Sequence, residues 1–202
     1  MAPLKKSGAG RPPREIILGI DPGSVHTGWG IIEAAGNELR HIAHGTINPV
    51  QSLGLGARLS QIRHGLQQVI EQYEPKAASL EKVFFARNVQ SALKLGQARG
   101  VALLAIAENP IVLAEYSATE IKMAVVGYGQ ATKDQVQKMV GALLGLRGQM
   151  AADAADALAA AICHIHRRAF QGLVQSLSGG AKAGGSWRNY LDRLSGADGR
   201  PR

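Results

Sequence analysis

The sequence predicts an α/β fold in which helices pack on the faces of a mixed sheet, and three observations lead there. Compact apolar runs bounded by turn residues recur along the chain. The first three follow one another through short turns, as in an antiparallel meander. The later ones alternate with segments whose apolar residues repeat every three or four positions, the period of a helix packed on one face.

Taken in order, Glu15 to Ile20 (EIILGI) is an apolar run closed by Asp-Pro-Gly, the pattern of a buried strand entering a turn. Thr27 to Glu33 and Leu39 to Ile47 supply the next two strands. Leu55, Leu59, Ile62, Leu66, Val69, Ile70 and Tyr73 form the apolar stripe of an amphipathic helix. Ala77 to Leu80 is a short strand ending at Glu81, and Ser91 to Glu108 a helix rich in small residues. Ile111 to Glu115 reads as a strand, Thr132 to Leu146 as a helix and Ala152 to Arg168 as a final helix. Between Lys122 and Lys133, the segment Met123–Thr132 carries Gly127 and Gly129 and is expected to form a flexible loop.

The ends differ in composition. Residues 1–14 are rich in Pro, Gly, Lys and Arg without apolar periodicity, and are expected to be a disordered basic tail. Residues 170–202 become Gly-rich and are expected to be flexible, leaving 15–169 as the folded domain. The net charge of +8 sits mostly in these tails, so it favours nucleic-acid binding only weakly. One cysteine, Cys163, excludes an intramolecular disulfide framework and fits a reducing compartment. No apolar run approaches a membrane span and no secretory signal opens the chain, so a cytoplasmic protein without membrane contact is expected.

Four acids stand out. Asp21 closes one apolar strand and Glu81 another, and a carboxylate at the end of a buried strand is costly unless something satisfies it. Asp153 and Asp156 are three residues apart, so they share one face of an alanine-rich helix that can lie close to a sheet. Singly, each acid also fits a cap, a turn or a helix N-terminus. As a set of four, they are hard oxygen donors of the kind that hold Mg²⁺ or Mn²⁺ for phosphodiester hydrolysis.

The stretches ILGIDPGSVHTGWGII, LEKVFFARNVQSALKLGQARGVAL, EYSATEIKMAVVGYGQATKDQVQKMV and ADAADALAAAI resemble, in order, the motifs of RuvC-type Holliday junction resolvases. The likeness runs from about Ile16 to His166. It implies an RNase H-like fold, with a five-stranded mixed sheet flanked by helices. It also implies a homodimer that resolves four-way junction DNA by symmetrical paired nicks, as a Mg²⁺-dependent endodeoxyribonuclease with two metal ions per active site, Mn²⁺ substituting. A RuvA-RuvB-type branch-migration complex is the implied partner. Position by position, the metal ligands fall on Asp21, Glu81, Asp153 and Asp156, the catalytic or phosphate-contacting lysines on Lys122 and Lys133, and the junction-stacking aromatic on Phe84. Arg87 and Asn88, in the loop-like stretch after Phe84, join them as DNA-contact candidates, and Phe85 is expected to pack inward.

Other readings compete. Another RNase H-like nuclease, or a junction-binding module without catalysis, would share most of these features. Gly23, Ser24 and Thr27 resemble a phosphate-cradling turn of sugar-kinase-like ATPases, but further glycine-rich phosphate motifs are missing. Gly96 and Gly100 permit close helix packing, on the chain's own sheet or also at a dimer contact. Cys163, His164 and His166 are expected to be structural.

Overall fold

The computed structural model describes residues 13–82 and 89–178. Its elements are β1 (Arg14–Asp21), β2 (Thr27–Ala35), β3 (Glu38–Ile47), α1 (Leu55–Tyr73), β4 (Ala77–Glu81), α2 (Val89–Ala107), β5 (Val112–Tyr116), α3 (Ala118–Val126), α4 (Lys133–Leu144) and α5 (Ala152–Ser178). The strands form one five-stranded sheet in the order β3-β2-β1-β4-β5. β1, β2 and β3 pair antiparallel, whereas β1–β4 and β4–β5 are parallel. The expected five-stranded mixed sheet is therefore present. Two compact units divide the chain, Met1–Arg167 and Arg168–Arg202, and the account below concerns the first.

The period-two alternation of the strands sorts the core into two layers. Leu18 and Ile20 of β1, Ile31 of β2 and Leu80 of β4 face α1 and α2, where Ile62, Leu66, Ala98 and Ala102 close the layer. Ile17, Ile32 and Ala77 face the other way, onto α3, α4 and the alanines of α5. Asp21 and Glu81 continue the second alternation, so both acids project on the α5 side of the sheet.

Three expectations need correction. Met123–Val126 is not loop but the end of α3, a helix set by a capping box in which Ser117 accepts from the Glu120 N–H and Glu120 accepts from the Ser117 N–H. Only Gly127 to Thr132 connects it to α4, whose own capping box pairs Thr132 with Gln135. Nor do Gly96 and Gly100 pack α2 onto the sheet. Among the described residues nothing lies within 4 Å of where their Cβ atoms would be, and the sheet-facing side of α2 is Ala98, Ala102, Ala105 and Ile106. The last helix runs on to Ser178, ten residues beyond the expected end.

Candidate active site

The register Ile20 opposite Leu80 in the parallel pair brings β1 and β4 to the same edge, where Asp21 and Glu81 emerge side by side. The third element, α5, crosses above them at unusually short range. A Cβ on Gly28 would overlap the carbonyl oxygen of Asp153, and one on Gly19 that of Ala157. At Gly30 a Cβ would stand 2.5 Å from Cδ2 of Leu158. Ser79 of β4 donates from its hydroxyl to the Ala160 carbonyl at 2.8 Å, a buried bond that fixes the helix along its axis. Glycine inside a strand marks such an approach of another backbone. Three glycines on two strands and alanines on the helix thus set the height of Asp153 and Asp156 over the sheet. Gly19, Gly28, Gly30 and Ser79 were not among the expected site residues; the two-residue spacing of Gly28 and Gly30 in β2 is the signal the sequence carries.

The acids form one electrostatic unit. Asp21 is pushed up to about 7, first by burial and then by the negative charges of Asp156, Asp153 and Glu81, with Lys133 opposing. Glu81 is raised by burial first and then by Asp156, while Lys122 and Lys133 pull it down. Lys133 places its ammonium 2.6 Å from Asp156 Oδ2, and that hydrogen bond, ahead of the fields of Asp21 and Asp153, raises the lysine's own affinity for its proton. Glu81, Lys122, Lys133 and Asp156 share a cleft of about 250 Å³ whose floor is Ala118, Ile121, Val136 and Ala159. All six expected residues of the carboxylate–lysine set that the structure describes therefore fall in one neighbourhood. As placed, no three His, Cys, Asp or Glu side chains among the described residues surround a single point closely enough to ligate one ion. The Lys133 ammonium rests against Asp156 in this arrangement.

Phe84, Phe85, Arg87 and Asn88 lie outside the described residues. The turn after Asp21 satisfies itself: the Thr27 hydroxyl donates to the Gly23 carbonyl at 2.7 Å and accepts from the Gly23 N–H at 3.4 Å. Arg58 of α1 donates to the Ser24 carbonyl and ties the turn to that helix. Cys163 is fully buried, and burial pushes its thiol up to about 12. His166 bonds the Ala124 carbonyl at 2.8 Å, and His164 meets the Tyr116 hydroxyl at 3.0 Å. No helix among the described residues is long and apolar enough to cross a membrane.

This sheet order, with acids at the ends of β1 and β4 and a carboxylate-bearing helix across them, defines a nuclease of RNase H-like architecture. Comparison with known proteins narrows the class. Residues 17–164 match the family model of crossover junction endodeoxyribonuclease RuvC, and the chain belongs to that family. It is 48% identical to the RuvC of Pelobacter propionicus over 174 residues, covering 86% of this chain and 98% of the relative. Against the RuvC of Hahella chejuensis identity is 53% over 150 residues, 74% of this chain and 87% of the relative. Among solved structures, T. thermophilus RuvC in complex with its Holliday junction substrate superposes with a TM-score of 0.73 at 29% identity, covering 78% of this chain and 96% of that one. The yeast mitochondrial resolvase Ydc2 shares the fold at 13% identity and a TM-score of 0.60, covering 84% of this chain and 87% of that one.

Proposed function

We propose that the chain is a divalent-metal-dependent endonuclease that resolves four-way DNA junctions by symmetrical paired nicks, with Asp21, Glu81, Asp153 and Asp156 as metal ligands. The observation that carries this reading is the convergence of four carboxylates from two strand ends and one helix, with half-buried Asp21 among the other three, beside a cleft lined by Lys122 and Lys133. Such a cluster stores repulsion that a hard divalent cation relieves, and its all-oxygen donor set fits Mg²⁺ or Mn²⁺, with room in the reading for two ions. When bound, these ions supply water activation and neutralise charge on the cleaved phosphate. The residues of the chain have separable tasks. Asp21 and Glu81 provide donors fixed by the sheet, whereas Asp153 and Asp156 provide donors whose height the strand glycines set. Lys122 and Lys133 bring positive charge to the cleft, where negative charge develops as the phosphodiester breaks. In this reading the attack is by water and leaves no covalent intermediate.

Paired nicks require two active sites, hence a second copy of the chain. Support comes from α2, where Val89, Leu93, Gly96, Gly100 and Leu104 fall on one stripe opposite the buried alanines. Leu93 is 61% and Leu104 50% exposed, and the two glycines leave space for a close partner. A RuvA-RuvB-type branch-migration complex and a cytoplasmic location complete the expectation drawn from the family resemblance.

The test is cleavage of a synthetic four-way junction by the wild type and by Asp21→Asn, each with Mg²⁺ and with EDTA. Symmetrical nicks by the wild type alone, and only with Mg²⁺, are the expected outcome, with junction binding kept by the variant. Equal cutting of plain duplex or of an RNA–DNA hybrid would move the substrate elsewhere within the same fold. Cleavage persisting in EDTA would reject the metal.

A further inference from the structure

Between the two cleft lysines, inside the third quoted motif stretch, lies a residue to which neither the carboxylate site nor the family resemblance gives a role. The connection from α3 to α4 is short and pinned at both ends. Gly127 ends α3 in the left-handed region, φ 80°, and its N–H donates to the Met123 carbonyl. Gly129 packs against α3 so closely that a Cβ there would stand 2.9 Å from Thr119 Cγ2 and 3.6 Å from Met123 Sδ. Ala131 is buried, and its N–H donates to the Tyr128 carbonyl at 3.2 Å. Held on both sides, Tyr128 is turned outward and is 58% exposed, with Met123 beside the loop at 53%. Among the described residues up to Arg167, Trp29, Tyr73 and Tyr116 are all partly covered, and Tyr128 alone of the aromatics is exposed. Leaving a large ring in water forgoes its burial, and here the backbone of a packed loop enforces it.

The surroundings indicate what the ring meets. Lys122, one residue before Met123, and Lys133, five residues after Tyr128, both line the cleft with Glu81 and Asp156. An aromatic and thioether surface presented by the short loop that joins the two lysine-bearing helices matches how proteins hold a strand whose bases are unstacked. The charges track phosphates, and the ring stacks on any base because every base has a π-face.

We propose that Tyr128 is a DNA-contact residue that stacks on an unpaired base, or packs on its sugar, in the strand lying across the carboxylate cleft. This rests on the junction-cleavage reading above. Tyr128 then acts on affinity and strand placement, not on bond breaking.

Four measurements on the full-length chain test it. The first is the dissociation constant for a labelled four-way junction in EDTA, for wild type, Tyr128→Ala, Tyr128→Phe and Tyr128→Trp. The second is the Mg²⁺-dependent cleavage rate as a function of enzyme concentration. Loss of one stacked base predicts a Kd and half-saturation increase of about 5- to 150-fold for the alanine variant, with Phe and Trp staying within about threefold of wild type. A junction carrying 2-aminopurine beside the cleaved bond reports the contact directly: quenching on binding should be lost with Tyr128→Ala and kept with Tyr128→Phe. Because the ring is exposed, melting temperatures should coincide. Unchanged affinity of Tyr128→Ala in an enzyme that still cuts junctions would overturn this inference alone. Equal losses for Phe and Ala would overturn stacking and leave the hydroxyl as the contact. A wild type that does not cut junctions would instead reject the functional reading on which the inference stands.

Discussion

Asp21→Asn should abolish cleavage and at the same time make the metal-free protein more stable. The native environment raises the Asp21 carboxyl from 3.8 to about 7, first by burial and then by three neighbouring carboxylates. For a group whose folded value lies above its unfolded value, the native state binds the extra proton between the two, so its stability falls as pH rises through that window. The contribution is absent below about pH 3.8 and complete above about pH 7. A shift of roughly three units corresponds to about 4 kcal/mol at pH 8, and less than half of that at pH 5. An asparagine cannot ionise but must still be desolvated at a cost of about 1–3 kcal/mol, so the net gain at pH 8 is about 1–3 kcal/mol. In a chain of this size that raises the melting temperature by roughly 2–12 °C. Thermal melts in EDTA at pH 5 and pH 8 measure it. The variant should gain most at pH 8, and added Mg²⁺ should stabilise the wild type more than the variant. A gain that does not grow with pH, or a variant less stable than wild type at pH 8, would show that Asp21 is not held against its own ionisation.

Two further substitutions probe what positions the site and what completes it. Gly28→Ala puts a methyl into the Asp153 carbonyl, and restoring a contact of roughly 3.5 Å moves the helix by more than about 1 Å, so cleavage should fall about 100-fold while junction binding survives. Full single-turnover activity of a folded Gly28→Ala would disprove the close-approach account of Asp153. Leu93→Glu places a charge on the exposed stripe of α2 and should convert a dimer to monomer in analytical ultracentrifugation with little change in melting temperature. An unaltered sedimentation coefficient would remove α2 from the interface.

Much of the architecture was legible because it depends on local patterns. The apolar run ending in Asp21 and the stripe from Leu55 to Tyr73 announce a strand and a helix by period alone. The carboxylate set was legible for a different reason, since four acids at strand ends and on one alanine-rich face are costly without a shared cation. Features that depend on what lies opposite were harder to read. Ser117 and Glu120 spell a capping box, yet the glycines soon after Lys122 suggested a loop through Met123–Val126. The glycines of α2 and those of β1 and β2 look alike in sequence, but only the latter meet another backbone. Which face a small residue serves is fixed by tertiary packing, and neither period nor propensity encodes it.

Both faces of the sheet bury an apolar core, but only one of them also sets the geometry of the site. Toward α1 and α2 the sheet presents Leu18, Ile20, Ile31 and Leu80, branched side chains that interdigitate with Ile62 and Leu66. There each buried aliphatic contributes about 1.5–3 kcal/mol. Toward α5 it presents Gly19, Gly28, Gly30 and Ser79, with Ala154, Ala157, Ala160 and Ala161 on the helix itself. Those small residues bury little apolar area themselves, and burial on this side comes from Ile17 and Ile32 of the sheet with Leu158 and Ile162 of the helix. What the small residues provide is a short, stiff separation fixed by backbone atoms, which have no rotamers to relax. Two carboxylates on that helix must be held beside two others against their repulsion, and long side chains between helix and sheet would let them drift apart. The small-residue patch is therefore tolerated because Ile17, Ile32, Leu158 and Ile162 on the same side, together with the core of the opposite face, supply the burial. The charge cluster at its end is tolerated because the Lys133 ammonium sits against Asp156 and the Asp21 carboxyl keeps its proton up to about pH 7.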